Sequence, residues 1–529
     1  MRTRLPAILF AFTTLFAQSR PAPEVFEVAD VHRSAPAMNP YTFISGGVLR
    51  GARYDLRKAT VLDMIRFAYD VDPDSIAGGP NWLEFDRFDI AAKAPPATPS
   101  ATIRLMLQSL LAERFKLVLH RDTRPMPAFA LAAGKGKPKL RQATGDHLPE
   151  CVYQPSSPGF TSWSCHNMTM TAFAERLHNI AGDYLRDPVV DATGLKGAWD
   201  FDLTWNNRTQ VLAPGAERAT VFKAVDQQLG LSLALENRPA PVLVIDRVEE
   251  KPTDNPPDVA RKLPPSDLHF EVADLKPARP DAPGGGMRVT PGGGFEAIAM
   301  DMRVLMAAAW DIDWDHLERF ASLPKWIESA KFDIHAKAST ETNGPPLLGA
   351  GYIDDDVRLM LRALLVERFK IQWRYENRPV DAWSLTPGGK PRMKKGDTSV
   401  RAGCKEARTM ANDPRDVNPR LSELLVCRNT TMAQFVSQLQ PLEPDDFAYP
   451  PDDATGLTGT WDFTLNFSPA WLVRVASTTT NQPGAASDPT GAVPLAEAVS
   501  KQLGLRLEKR KRMLPVVVID RMEEKPTEN

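Results

Sequence analysis

Apolar residues along the chain fall alternately into helical and strand periods. The clearest helical stripe is Ile103, Met106, Leu107, Leu110 and Leu111, spaced to cover one face of a helix laid on a sheet. A second helix is predicted over 60–69, capped by Thr60 and buried along Leu62, Ile65, Ala68 and Tyr69. Strand alternation appears at 26–31, at 87–92 around Phe88, Asp89 and Ile90, and again where Trp199 and Phe201 alternate with Asp200 and Asp202. After the long helix the pattern predicts a strand at 115–120, a turn at 122–125 and a return strand at 128–132. The block at 221–248 reads the same way, as helix 221–229, strand 231–235 and return strand 241–248. Its turn is Asn237, Arg238 and Pro239, matched by Asn377, Arg378 and Pro379. Proline has no N–H to give a ladder, which places it in turns or at strand edges.

These elements occur twice. FEVADVHRS (26–34) returns as FEVADLKPA (270–278), and IRLMLQSLLAERFK (103–116) as VRLMLRALLVERFK (357–370). DATGLKGAWDF (191–201) returns as DATGLTGTWDF (453–463), and VLVIDRVEEKPTDN (242–255) as VVVIDRMEEKPTEN (516–529). The chain therefore reads as a tandem duplication: module 1 over 24–254, a proline-rich linker over 255–267 and module 2 over 268–529. The expected class is α+β, each copy built of αββ-type units with helices packed on mainly antiparallel sheets. Loops 206–219 and 468–490 are expected to be mobile, and the latter from Ala476 on, rich in Ser, Thr, Pro, Ala and Gly, cannot bury enough apolar surface to order itself.

Composition narrows the setting. A length of 529 residues is too great for one core, and 43% hydrophobic with 25% charged residues is ordinary for a globular chain. A formal charge of −2 argues against a nucleic-acid or polybasic membrane partner. Residues 1–17, with Arg2 and Arg4 ahead of an apolar run, read as a secretory signal peptide; no later segment is apolar enough for a membrane-spanning helix. The four cysteines fall two per copy, at Cys151 and Cys165 and at Cys404 and Cys427, in the same interval but at unequal spacing. A disulfide closing a variable loop tolerates that inequality better than a zinc site does, so two intramodular disulfides are expected.

Duplication also tests candidate chemistry, because a residue essential to a shared reaction should survive in both copies. Histidines fail: Lys276 stands for His32, Arg374 for His120, Arg428 for His166 and Gln440 for His178. There is no HExxH, GxSxG or P-loop. The polar residues that persist include Asp89/Asp333, Arg114/Arg368, Asp191/Asp453, Asp200/Asp462 and Asp246/Asp520. Asp191 and Asp200, with Asp453 and Asp462, are the carboxylates available to a hydrolase, but Asp-Ala-Thr-Gly is turn chemistry and Asp200 lies on the wet face of a strand. No catalytic, cofactor-binding or metal residue is assigned. Trp82/Trp326, Trp199/Trp461 and Tyr69/Trp310 are expected in cores. Trp163, Trp205, Trp314, Trp373 and Trp383 lack tryptophan counterparts and are candidates for a surface used by one copy.

The repeated blocks, with GGPNWLEFDRFDIAAKA (78–94), resemble the uncharacterised exported family expanded in soil Acidobacteria, the Solibacter-type domain of unknown function. That resemblance spans nearly the whole chain once per copy and implies export and an extracytoplasmic sensing or binding role. The predicted αββ elements are more loosely similar to the short N-terminal domains of secretins and TonB-dependent receptors. The reading is an exported, periplasmic or extracellular module that binds an envelope protein or ligand without catalysis. The alternatives are an envelope-polymer hydrolase using acidic residues and a purely structural envelope protein.

Overall fold

In the computed structural model, residues 23–35, 44–144, 148–157, 159–185, 187–207, 219–266, 268–279, 282–283, 285–290, 294–314, 316–338, 342–343, 355–398, 401–406, 423–443, 446–479 and 492–528 are described. Residues 1–17, expected to be a signal peptide, and most of the loop 206–219 lie outside them.

Each copy is itself two units of one plan. Unit I runs β1 (Val28–Arg33), β2 (Ser45–Arg50), β3 (Arg53–Thr60), α1 (Val61–Tyr69), β4 (Ile76–Gly78), β5 (Arg87–Lys93), α2 (Ser100–Arg114) and β6 (Val118–Ala133). Unit II repeats that order as β7 (Arg141–Gln142), β8 (Glu150–Gln154), β9 (Phe160–Met168), α3 (Met170–Ile180), β10 (Val189–Ala192), β11 (Trp199–Asn206), α4 (Val221–Ala224) and β12 (Leu231–Arg247). After α5 (Val259–Lys262), unit III comprises β13 (Phe270–Pro277), β14 (Met287–Thr290), β15 (Gly294–Asp301), α6 (Met302–Ala309), β16 (Phe320–Ala321), β17 (Lys331–Ala338), an added β18 (Thr342–Asn343), α7 (Asp355–Arg368) and β19 (Gln372–Pro387). Unit IV closes the chain with β20 (Lys394–Lys395), β21 (Gly403–Glu406), β22 (Glu423–Thr430), α8 (Met432–Leu442), β23 (Asp452–Asp453), β24 (Trp461–Phe467), α9 (Ala470–Thr479), α10 (Leu495–Ala498) and β25 (Leu505–Arg521). The antiparallel sheets have equivalent strand orders: β1-β5-β3-β2, β7-β11-β9-β8, β13-β17-β15-β14 and β20-β24-β22-β21.

The last strand of each unit leaves it. β6 and β12 pair antiparallel along their whole lengths, and β19 and β25 do the same. β4 adds in parallel to β12, β10 to β6, β16 to β25 and β23 to β19, which gives each ribbon a pseudo-two-fold arrangement. The strands are exchanged between cores. Leu243 and Ile245 of β12 pack with α1, α2 and the sheet of unit I, whereas Phe129 and Leu131 of β6 pack with α3 and the sheet of unit II. In the second copy Val517 and Ile519 enter the core of unit III, and Leu385 that of unit IV. Four hydrophobic cores result, joined in pairs by ribbons.

This corrects the αββ reading. The expected turns at 122–125 and 237–239 are the middle of the ribbon: 118–120 and 128–132 belong to one strand, β6, and 231–235 and 241–247 to the other, β12. Pro125 faces Pro239, a pair that can exchange no ladder bond and must occupy a non-hydrogen-bonded site. Pro127 and Pro241 lie two residues along and share that class, as do Pro379 and Pro515 at the equivalent places. The prolines thus sit where the N–H would point away from the partner. The likeness to secretin and TonB domains loses the hairpin on which it rested. The class itself stands as mixed α/β with several small sheets.

Local expectations from periodicity fare better. Ile103, Met106, Leu107, Leu110 and Leu111 are all buried, and Thr60 closes a capping box with Asp63 at the head of α1. The stretch read as a linker holds α5 and is bound to the first copy: Arg53 donates to the Pro264 carbonyl at 2.6 Å, and Asn255 accepts from the Val31 amide at 2.9 Å. The loop 468–490 contains α9 in its first part; 480–490 lies outside the described residues.

Candidate functional site

Most of the polar residues shared by the copies act on backbone, whereas Asp246 and Asp520 pair with side chains. In every unit the third strand bulges, two residues standing opposite a single aspartate of the fifth: Arg57 and Lys58 opposite Asp89, His166 and Asn167 opposite Asp200, Ile298 and Ala299 opposite Asp333, and Arg428 and Asn429 opposite Asp462. The second bulged residue is left-handed each time, with φ of 54°, 51°, 47° and 45° for Lys58, Asn167, Ala299 and Asn429. The aspartate accepts its amide, at 2.8 Å from Lys58 and Asn167 and 2.7 Å from Ala299 and Asn429. A bulge strips an amide of its ladder partner, and the carboxylate replaces that partner.

Asp191 accepts from the Thr193 amide and hydroxyl at 2.9 and 2.8 Å, and Asp453 from those of Thr455 at 2.9 and 2.7 Å. Asp191 lies on β10 in the ribbon sheet and Asp200 on β11 in the unit sheet, each engaged in turn or bulge bonds. The structure therefore shows framework bonds where the hydrolase reading needs an acid and a base. Arg114 ties the tail of its own copy down, donating to the Thr253 and Ala29 carbonyls at 2.6 and 3.1 Å. Arg368 repeats this with the Thr527 and Ala273 carbonyls at 3.5 and 3.3 Å. That bond explains why the ending EEKPT persists with the ERFK block.

The substituted histidines keep their bonds under new names. His120 meets Asp246 at 2.9 Å, and Arg374 pairs with Asp520. His166 stands 4.0 Å from Asp200, and Arg428 3.6 Å from Asp462. His178 bonds the Asp187 carbonyl at 3.0 Å, and Gln440 donates to that of Phe447 at 2.9 Å. His32 lies 3.6 Å from Asp30, as Lys276 lies 3.2 Å from Asp274. Arginine, lysine and glutamine share with histidine only a donor, so donation is the retained role. Among the described residues no group of three or more His, Cys, Asp and Glu is placed to hold a metal ion.

Cys151 and Cys165 stand directly opposite each other on β8 and β9 with sulfurs 2.02 Å apart, and Cys404 and Cys427 on β21 and β22 at 2.06 Å. Each pair is at disulfide distance and staples the edge strand of its sheet. Of the unmatched tryptophans, Trp205 is buried and Trp163, Trp373 and Trp383 pack against cores; Trp314 is exposed.

The feature that sequence reasoning missed is a charged seam between the copies. Asp356, 1% exposed, receives both Nη atoms of Arg57 at 2.6 Å and pairs with Arg50. Asp355 accepts from Ser45 Oγ at 2.9 Å and lies 3.2 Å from Lys58 Nζ, which reaches Asp311 at 3.4 Å. Arg358 pairs with Asp311 and Asp355 from the second copy's own side. Burial pushes the Lys58 ammonium down to about 8; Asp311 opposes the shift and Arg358 adds to it. β18 adds antiparallel to β2, extending the sheet of unit I with a strand from the second copy.

A second patch continues the seam. Arg401 donates to Glu84 at 2.9 Å and to the Ile76 carbonyl at 3.1 Å, Asn81 accepts from the Ala402 amide at 2.9 Å, and Lys405 meets Asp74 at 3.0 Å. Beside it lies a cleft of about 570 Å³ lined by Asp74, His178, Asn179, Lys405 and Glu406. The pairings are hard to see in one sequence, where their one trace is that Asp355 and Asp356 have no acidic counterparts at Ala101 and Thr102. The missed signal was that difference between the copies.

Among the described residues no helix is long and apolar enough to cross a membrane. No curated protein and no solved structure matches the chain. A family model described as a protein of unknown function (DUF3738) matches twice, over 62–248 and 303–522. The chain belongs to that family and carries its domain in two tandem copies.

Proposed function

We propose that the protein is an exported binding or interaction module of the cell envelope, with modules at 24–254 and 268–529 and no catalysis of its own. The observation that carries this reading is the division of labour between retained and altered residues. What both copies keep, Asp89/Asp333, Asp200/Asp462, Asp191/Asp453 and Arg114/Arg368, is spent on backbone amides and carbonyls. Much of what they alter, including Arg57, Asp355, Asp356, Arg401 and Lys405 with their counterparts, lies on bulges, edges and helix starts that face a neighbour or solvent, where recognition takes place. Export is supported by the apolar segment 1–17 and by two cysteine pairs at disulfide distance, bonds that persist outside the cytosol. Residues 18–529 then form the mature chain, and envelope proteins or ligands are its partners.

Cross-linking tests this reading. Oxidised protein is titrated into envelope extract of its host, and the products are identified by mass spectrometry with unlabelled protein as competitor. One or two saturable, competable partners are expected. Adducts that scale with abundance and resist competition, or a defined turnover lost in Asp191→Asn with Asp453→Asn, would count against it.

A further inference from the structure

The seam is heterologous. The first copy contributes its β3 bulge and the corner 74–84; the second contributes the start of α7, the end of α6 and the edge strand β21. Among the described residues, neither copy sets its complementary face against the other copy. On the first copy it comprises the start of α2 and edge strand β8; on the second, the β15 bulge and the corner formed by 312–314 and 316–328.

Much of the charge has been lost from these two remaining faces, although Asp70 and Arg104 still stand where Asp311 and Arg358 do, and Glu328 where Glu84 does. Alignment by the bulges, the shared helix block and the cysteines places Ile298 and Ala299 where Arg57 and Lys58 stand. It places Ala101 and Thr102 where Asp355 and Asp356 stand, and Leu148 and Val152 where Arg401 and Lys405 stand. Four cations and two buried carboxylates are thus replaced by apolar or small residues. Three of the replacements are open to solvent, Leu148 at 85%, Val152 at 44% and Ile298 at 41%, whereas Ala299 is buried; Trp314 in the second copy's corner is 62% exposed. Leu105, on α2 one turn beyond Ala101, is 47% exposed.

We propose that molecules of this protein associate head to tail. The face of one carrying β8 and Leu105 receives the face of the next carrying Ile298 and Trp314, in the relation the two copies bear within one chain. The partial loss of charge follows from tethering. Inside the chain the connection raises the effective concentration of one copy near the other, so charged, soluble faces suffice. Between chains no tether helps, and apolar burial must offset the lost translational freedom. A heterologous contact repeated this way builds an open chain or a ring rather than a closed two-fold dimer. This inference is independent of the envelope-binding reading.

Sedimentation velocity on the oxidised full-length protein tests it, with Val152→Glu blocking one face and Ile298→Asp the other. Both positions are exposed, and circular dichroism confirms that each variant is folded. The wild-type sedimentation coefficient should rise with concentration up to about 100 µM, and either substitution alone should weaken association at least about tenfold. A mixture of the two variants, each retaining one intact face, should form one-to-one dimers and stop there. A wild type that stays monomeric over that range, association that survives either substitution, or variants that fail to pair when mixed would each overturn the proposal.

Discussion

At the residue scale, one aspartate per unit anchors a left-handed bulge. The pairing of Asp89 with Asp333 and Asp200 with Asp462 is legible in the sequence. Their equivalence across all four units is not, because Phe-Asp-Ile and Trp-Asp-Phe share little beyond an aspartate between apolar residues. Removing that carboxylate strands a partly buried amide. Asp462→Ala should therefore destabilise the second copy by about 1–3 kcal/mol in chemical denaturation, and Asp462→Asn, which keeps an acceptor, by less. Lys58 gives a prediction in pH. Its folded value of about 8 lies below the ordinary 10.5, so the unfolded chain holds the proton more tightly. Its contribution to stability should rise as pH climbs from 8 toward 10.5, by at most about 3 kcal/mol. Denaturation of wild type alongside Lys58→Met should show wild type gaining on the variant across that window; a parallel or falling difference would show that Lys58 is not desolvated in the seam.

At the element scale, helices and half-buried strands were readable because their periods are enforced by burial on one face. α2 and its stripe were placed to within a few residues, and the Trp199–Asn206 strand followed its alternation. The long ribbons were misread as hairpins because proline marks both a turn and a non-hydrogen-bonded site in a two-stranded stretch. Register decides between them, and register is set by a strand more than a hundred residues away. Sequence periodicity carries no such information. The cysteine pairs hold the edge strands β8 and β21 against their neighbours. Replacing Cys151 and Cys165 together by serine should cost roughly 3 kcal/mol, as should the second pair. Equal stability of the reduced and oxidised protein would contradict that role.

At the scale of the whole molecule, two successive levels of repetition build four cores, and chemistry is varied only where units meet something else. Within a copy the units exchange strands, which makes each copy one cooperative body. Between the copies the connection is the charged seam, with Arg50, Arg57 and Lys58 on one side and Asp311, Asp355 and Asp356 on the other. A buried pair of this kind adds little net stability over an apolar contact, but losing one partner leaves a charge in low dielectric, at a cost of about 3–5 kcal/mol. Nothing in one sequence read alone announces which carboxylate meets which guanidinium across 299 positions. The division between a framework kept in both copies and faces altered in each rests on this seam. Scanning calorimetry of wild type against Asp356→Ala tests it most directly. The account predicts a single cooperative transition in wild type that splits into two in the variant, as each copy unfolds alone. Two transitions already present in wild type, or a single transition unmoved by Asp356→Ala, would contradict it.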